Sequence, residues 1–290
     1  MMVVPTGSVS ILANNWRSQF DALVSSARTE LILCSPFITN AGAGYVESVV
    51  SSNDWMCNKC LLLTDLSSRN LVNGATDPDA IVLLLRILPN LCIFHLPRLH
   101  AKVYVADRAR SIISSGNLTY GGICRNLECG VLFDDSDICS VIGNRIAMYS
   151  TLGAEITPKH ISTCCSLAQE VRPIVKGEAA DRSLPNTAVS KMAAIDDLLL
   201  ERRLSRGPIH AVFADTILYL LTHNGPMATV DLHTAVQMIH PDLCDDTIDR
   251  IIDGKRFGKK WKHAVRSAQQ RLKQQDAIVL EDGKWKVSQD

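Results

Sequence analysis

The chain has 290 residues, an apolar fraction of 47% and equal numbers of basic and acidic residues, 30 of each. That length favours two domains, and that composition excludes a disordered or collagen-like chain. A net charge of zero gives no global field for nucleic acid, so any binding surface must come from local asymmetry. No apolar run reaches the ~20 residues of a membrane span. The N-terminus lacks the charged segment and apolar run of a secretory signal. The ten cysteines are scattered through core-like runs such as Leu91-Cys92-Ile93 and Ile138-Cys139-Ser140. They read as small buried hydrophobes in a reducing cytoplasm, and Cys57-Asn58-Lys59-Cys60 lacks the second pair of a metal site.

Residues 14–30 place Trp16, Phe20, Leu23, Val24 and Ala27 at helical spacing. Leu31-Ile32-Leu33-Cys34 reads as a buried strand, and Gly42 to Gly44 as a loop. Cys60 to Leu66 is the next expected strand, Pro78 to Leu88 a helix, and Leu91 to Leu96 a third strand. Strands alternating with helices, then a hairpin, predict an α/β sandwich. Asp137 to Ser150 reads as a closing helix, and Ile156 to Gln169 as a further helix of weaker pattern.

The hairpin carries the chemistry. Leu99, Ala101, Val103 and Val105 alternate with His100, Lys102, Tyr104 and Ala106, which predicts a strand with one apolar face. On it His100 and Lys102 point the same way, about 7 Å apart. Asp107-Arg108-Ala109-Arg110 is the expected connection to a partner strand over Ser111 to Asn117, with Ser115 and Asn117 sharing a face. In Leu127 to Phe133 the apolar residues alternate again and Glu128 falls opposite them. Polar groups from three adjacent strands thus converge on one edge. These residue types suit phosphodiester cleavage. A neutral imidazole attacks phosphorus, while Lys102 and the Asn117 amide bind the non-bridging oxygens. Glu128 is expected to hold one imidazole nitrogen and fix the tautomer. A second histidine would protonate the leaving oxygen. A lone His-x-Lys is usually surface decoration; the further matches at Asp107, Ser115, Asn117 and Glu128 raise it above that.

His100-x-Lys102-x4-Asp107, followed by Ser114-Ser115-Gly116-Asn117 and Glu128, resembles the HKD motif of the phospholipase D superfamily, over roughly residues 10–150. Ser114 stands where the family usually has Gly. The Ser-Ser-Gly-Asn variant is similar to that of metal-independent restriction endonucleases of the superfamily. The resemblance implies a phospholipase D-like α/β sandwich with a mixed sheet, and a catalytic set of His100, Lys102, Ser115, Asn117 and Glu128. Asp107 joins that set as a turn-forming or orienting residue. No metal and no cofactor is implied, and no Asp/Glu constellation is clustered to hold magnesium. The chain has one motif copy, which supplies one motif histidine, where the family's reaction needs two. That points to a homodimer through the catalytic domain and to the nuclease branch.

Residues 172–190, with Pro173, Gly177, Pro185 and Asn186, read as a linker without a clear period. Beyond it, Ile209, Val212, Phe213, Ile217, Leu220 and Leu221 form a helical stripe that stops at Gly225-Pro226. Leu232, Val236 and Ile239 suggest a second helix, and Trp261, Val265, Ala268 and Leu272 a third. Ile278-Val279-Leu280 and Trp285-Lys286-Val287 read as a terminal hairpin. Helices followed by a small hairpin fit a winged helix-turn-helix, and Trp261 to Val287 is similar to winged-helix modules beside restriction nucleases. Residues 250–273 contain nine cationic residues against Asp253 alone. As a basic helix this run suits phosphate neutralisation, with Gln269 and Gln270 exposed for base edges. The expected DNA contacts are Lys255, Arg256, Lys259, Lys260, Lys262, Arg266, Gln269, Gln270, Lys273 and Lys284.

The sequence therefore predicts a phospholipase D-like catalytic domain over 1–171, a linker with a helical segment over 172–207, and a winged-helix DNA-binding domain over 208–290. The expected function is a cytoplasmic, metal-independent DNA endonuclease. It works through a covalent phosphohistidine at a dimeric composite site, in restriction or defence, with DNA as partner and no membrane. Three alternatives stay open: a catalytically inactive DNA-binding or regulatory protein that keeps the fold, a lipid phosphodiesterase, and an enzyme acting on RNA, for which the sequence offers no aromatic stacking platform. The lipid enzyme usually has two motif copies in one chain, and the basic C-terminal module argues against it.

Overall fold

The computed structural model describes residues 9–51, 55–177, 184–205 and 207–288. The chain divides into two compact units, Met1–Leu199 and Leu200–Asp290.

Unit 1 is built on a mixed eight-stranded sheet of order β1-β7-β6-β5-β2-β3-β4-β8. Its parallel half is β2 (Glu30–Cys34), β3 (Lys59–Thr64) and β4 (Leu91–His95). These strands are joined through helices α2 (Asn40–Val50), α3 (Ser68–Asn73) and α4 (Pro78–Ile87), as parallel pairing requires. Its antiparallel half is β1 (Val9–Ala13), β5 (Val103–Ala106), β6 (Arg110–Ser114) and β7 (Cys129–Phe133). The two-residue β8 (Ala154–Glu155) closes the far edge against β4. Helix α1 (Arg17–Ser26) packs on β5, as does α5 (Ser136–Leu152). Asp135 caps α5 by accepting from the backbone N–H groups of Asp137 and Ile138.

The structure changes several expectations. Gly42 to Gly44 lies inside α2, not in a loop. Thr39 caps that helix, its hydroxyl accepting from the Gly42 N–H. The missing β-carbon at Gly42 makes room for the Leu118 carbonyl, which would stand 2.0 Å from it. Strand β5 is buried along its whole length rather than on one face. Tyr104 packs against Trp16 and Phe20, with ring centroids 5.7 Å and 5.2 Å away, while Val105 lies beneath Gly143 of α5. Alternation at this position marks which layer a side chain meets, because both faces of a central strand are covered. Helices also fill most of the stretch read as a linker. Helix α6 (Pro158–Gly177) runs through Pro173, and α7 (Asn186–Leu204) follows; residues 178–183 lie outside the described residues.

Unit 2 orders α8 (Ile209–Asn224), β9 (Met227–Ala228), α9 (Thr229–Ile239), β10 (Asp249–Ile252), β11 (Lys255–Lys259), α10 (Lys260–Gln274), β12 (Ile278–Glu281) and β13 (Lys284–Val287). Its core gathers Phe213, Ile217, Leu232, Val236, Trp261, Val265, Leu272 and Trp285. Strands β12, β13 and β9 form a three-stranded sheet. Strands β10 and β11 form a separate hairpin where a continuous basic helix was expected. The Asp253-Gly254 pair, both at positive φ, makes its turn and breaks the helical run. Among the described residues, no helix is long and apolar enough to cross a membrane.

Candidate active site

The motif residues gather where β5 begins, β6 ends and β7 begins. His100 and Lys102 do not lie on the strand: β5 starts at Val103, and both residues sit in the extended segment that feeds it. Ser115 and Asn117 follow β6, and Glu128 precedes β7. Because these three strands are antiparallel neighbours, all five side chains come to one end of the sheet.

Within this cluster His100 is exposed and Lys102 is buried. Lys102 Nζ lies 3.0 Å from His100 Nε2 and donates to the His100 carbonyl oxygen at 2.7 Å. An ammonium only donates, so Nε2 is the acceptor and the ring proton belongs on Nδ1. Burial holds the Lys102 ammonium below its ordinary value, against the opposing pull of the Glu128 carboxylate and the Cys34 thiol. Glu128 does not hold the imidazole as expected. Its carboxylate accepts from the Ser115 hydroxyl and, at 3.2 Å, from Asn126 Nδ2. The hydroxyl lies nearer because Ser115 and Glu128 end adjacent strands, and the Ser115 Oγ in turn accepts from the Cys129 N–H. Asn126 escaped sequence reasoning; its signal was an amide two residues before the acid.

The loop carrying Asn117 is fixed from several sides. The Tyr104 hydroxyl donates to the Gly116 carbonyl at 3.2 Å. The Ser114 hydroxyl accepts from the Gly116 N–H, and the Ser35 hydroxyl from the Leu118 N–H, both at 3.0 Å. Gly116 is required here, since a β-carbon would stand 2.2 Å from the Gly122 carbonyl. Asn117 Oδ1 is left buried without a hydrogen-bond partner among the described residues. Beside it opens a cleft of about 460 Å³, whose lining includes Phe37, Thr39, Tyr120, Arg125 and Asn126.

Asp107 stands apart from this cluster, at the opposite end of β5. Its carboxylate accepts from the N–H groups of Arg28, Thr29 and Glu30 and from the Thr29 hydroxyl. Partial burial raises its pKa, but these hydrogen bonds outweigh that and hold it below the usual carboxylate value. The residue ties the β5–β6 turn to the start of β2.

In unit 2, Lys260, Arg266, Gln270 and Lys273 lie exposed on α10 and Lys284 on β13, with Lys262 half-buried beside the Trp261 ring. Lys255 and Arg256 belong to the β10–β11 hairpin instead. Lys259 pairs with Asp249 at 2.8 Å and Arg256 reaches the same carboxylate at 3.6 Å. Gln269 is buried, at 1% exposure, which removes it from the expected base-reading set. It follows Trp261 and Val265 at four-residue intervals and so falls on the core stripe, whereas Gln270 falls outside it.

Three solved structures share part of this architecture. NucT from Helicobacter pylori aligns over 51% of this chain and 98% of its own, with 15% identity and a TM-score of 0.41. Nuc from Salmonella typhimurium, a phospholipase D family member, aligns over 51% of this chain and 98% of its own, with 14% identity and a TM-score of 0.39. Phosphatidylserine synthase from Haemophilus influenzae aligns over 62% of this chain and 46% of its own, with 15% identity and a TM-score of 0.44. No protein-family model matches the sequence, and no curated protein matches it.

Proposed function

We propose that the chain is a phosphodiesterase of the phospholipase D type that cuts DNA without a metal ion, as a homodimer, in a cytoplasmic restriction or defence role. The observation that carries this reading is the convergence of His100, Lys102, Ser115, Asn117 and Glu128 at one end of three adjacent strands. An exposed imidazole beside a buried ammonium supplies a nucleophile and a charge for a non-bridging oxygen.

In the first step the His100 Nε2 lone pair attacks phosphorus, and Lys102 exchanges the imidazole for a phosphate oxygen. The N–P bond forms, the P–O bond to the leaving strand breaks, and His100 of the second copy, entering as the imidazolium, gives that oxygen its proton and becomes neutral. In the second step the same second imidazole takes a proton from water, whose oxygen displaces the His100 nitrogen. Ser115 and Asn126 hold Glu128 in place, where its carboxylate favours the charge on Lys102. The cleft beside Asn117 has room for a nucleotide flanking the scissile phosphate.

Unit 2 supplies the tether in this reading. Its α8, α9, α10 and three-stranded sheet form a winged-helix arrangement, with α10 as the recognition helix and the β12–β13 hairpin as the wing. Lys260, Lys262, Arg266 and Lys273 neutralise phosphate, Gln270 faces the bases, and Lys284 adds a contact from the wing.

The test is incubation of plasmid DNA with purified protein in excess chelator, beside a His100→Ala variant. Wild-type cleavage in chelator, abolished in the variant while DNA binding persists, is the expected result. Strict dependence on added magnesium, or wild-type cutting by the variant, overturns the mechanism.

A further inference from the structure

The β10–β11 hairpin wears its apolar side chains on the outside. Ile251 is 61% exposed, Phe257 49% and Ile252 41%. The ladder sets Ile251 opposite Arg256 and Ile252 opposite Lys255. Directly opposed residues share a face and successive ones alternate. One face therefore carries Ile251 with Arg256 and the other Ile252 with Lys255, and Phe257 follows in the bulged stretch before Lys259. Neither face is an apolar sheet seeking its own core; each interleaves apolar carbon with positive charge. The base of the hairpin is anchored. Lys259 pairs with Asp249 at 2.8 Å, Arg250 Nη1 meets His263 Nδ1 at 3.0 Å, and the Lys260 N–H donates to the Ile248 carbonyl. Beyond it the Phe257 carbonyl accepts from His263 Nε2 at 2.5 Å and Arg256 reaches Asp249 at 3.6 Å, while the Asp253-Gly254 turn stands at the tip. A two-stranded ribbon standing alone in water is marginal, so exposed apolar groups on one need a partner.

We infer that this hairpin is a second nucleic-acid-reading element, which enters the major groove of duplex DNA beside α10. The inference rests on the DNA-binding reading of unit 2 and extends it. A two-stranded ribbon fits the major groove. A ribbon in that groove meets phosphates on both walls and base edges at its floor, which matches a cation and an apolar side chain on each face. Residues 249–260 supply Arg250, Lys255, Arg256, Lys259 and Lys260 against Asp249, which pairs with Lys259, and Asp253. A protein partner would have to desolvate those charges to cover the isoleucines, whereas phosphate neutralises them. The apolar groups meet thymine methyls, the one apolar feature that the groove presents.

The experiment measures duplex affinity of the full-length protein by fluorescence anisotropy across a salt series. It compares wild type with an Ile251→Ser/Ile252→Ser/Phe257→Ser variant and a Lys255→Gln/Arg256→Gln variant. Thermal melting checks that both remain folded, which the exposure of all five side chains favours. Wild type is expected to bind a thymine-containing duplex more tightly than the same duplex with deoxyuridine in place of every thymine. The apolar variant should lose about tenfold in affinity for the thymine duplex and stop discriminating the two, with its salt slope unchanged. The charge variant should lower the slope of log affinity against log salt by about two. Wild-type binding together with an indifferent apolar variant overturns the hairpin's role alone, and absence of duplex binding by wild type overturns the DNA reading of unit 2 with it. An apolar variant that keeps its affinity but sediments as a smaller species than wild type overturns the inference in favour of a second copy of the chain.

Discussion

Lys102 Nζ lies 3.0 Å from His100 Nε2 and 2.7 Å from the His100 carbonyl oxygen, so one cation grips both the ring and the backbone of the same residue. The ammonium thus holds the ring in place through Nε2 until a phosphate competes for it. Lys102→Met should lower kcat by about 10²- to 10³-fold, since it removes both the charge for the oxyanion and the clamp on the nucleophile. Burial lowers the Lys102 pKa. The alkaline limb of the pH–rate profile should therefore fall below the ordinary lysine value of about 10.4. Activity is present while the ammonium is charged and lost as pH rises through its folded pKa. A limb at or above the ordinary value, or full activity in the methionine variant, contradicts this assignment.

One motif histidine per chain makes the proposed dimer testable by mixing. Under a two-fold axis through the site, His100 faces its own copy. Wild-type chains titrated with His100→Ala chains should lose activity faster than in proportion, because each mixed dimer lacks either nucleophile or general acid. A linear decline in plasmid cleavage, or a fully active monomer by sedimentation, rules the shared site out.

Asp107 should matter for stability rather than turnover. Asp107→Ala strands the N–H groups of Arg28, Thr29 and Glu30, and the cost should be about 2 kcal/mol by denaturant titration. Its folded pKa lies below the unfolded value. The stabilisation is therefore present above about pH 3.9 and is lost as pH falls through the folded pKa. If the variant matches wild type in stability and instead loses kcat, Asp107 belongs to the chemistry.

Unit 2 carries an acid-sensitive core. His233 Nε2 is buried without a partner among the described residues, and the ring stands edge-on to Trp261. Burial, with the Arg266 and Lys262 charges, pushes its pKa down to about 4. The neutral ring stabilises the fold fully above about pH 6.5, the unfolded value. That contribution fades as pH falls from there towards 4, because the unfolded chain takes up the proton first. His240, buried against Arg203, is lowered in the same direction. Replacing His233 with Gln should flatten the fall of the unit 2 melting temperature between these pH values, without abolishing it. An unchanged acid slope places the sensitivity elsewhere.

Much of this arrangement was legible in the sequence, for physical reasons that differ from place to place. The runs around Leu31, Leu62 and Ile93 are apolar because parallel strands are covered on both faces, and their bounds hold to within a residue or two. The site cluster was legible because spacing on neighbouring antiparallel strands fixes which ends meet. What failed was finer. Gly42 and Gly44 read as a loop because propensity cannot see that a helix needs a gap for the Leu118 carbonyl. Glu128 was given to His100 because sequence shows who is near, not which donor lies closest. Gln269 looked polar and hence exposed, yet its spacing from Val265 sets it on the core stripe. The β10–β11 hairpin was hidden by its charge, which reads as a helical face until Asp253-Gly254 is taken as a turn.

The contact between Gly42 and Leu118 ties two distant stretches of chain together. Thr39 donates its N–H to the Leu118 carbonyl at 3.1 Å, and the same oxygen fills the space above Gly42. Leu118 is the residue after Asn117, so the amide proposed to bind phosphate is set in place by a helix far from it in sequence. Gly42→Ala adds one carbon and touches no substrate, yet it would push the Leu118 carbonyl and carry Asn117 off target. A genetic screen for lost cleavage should therefore recover position 42 among the catalytic residues, and suppressors of it should fall in the Ser114–Thr119 loop rather than in α2.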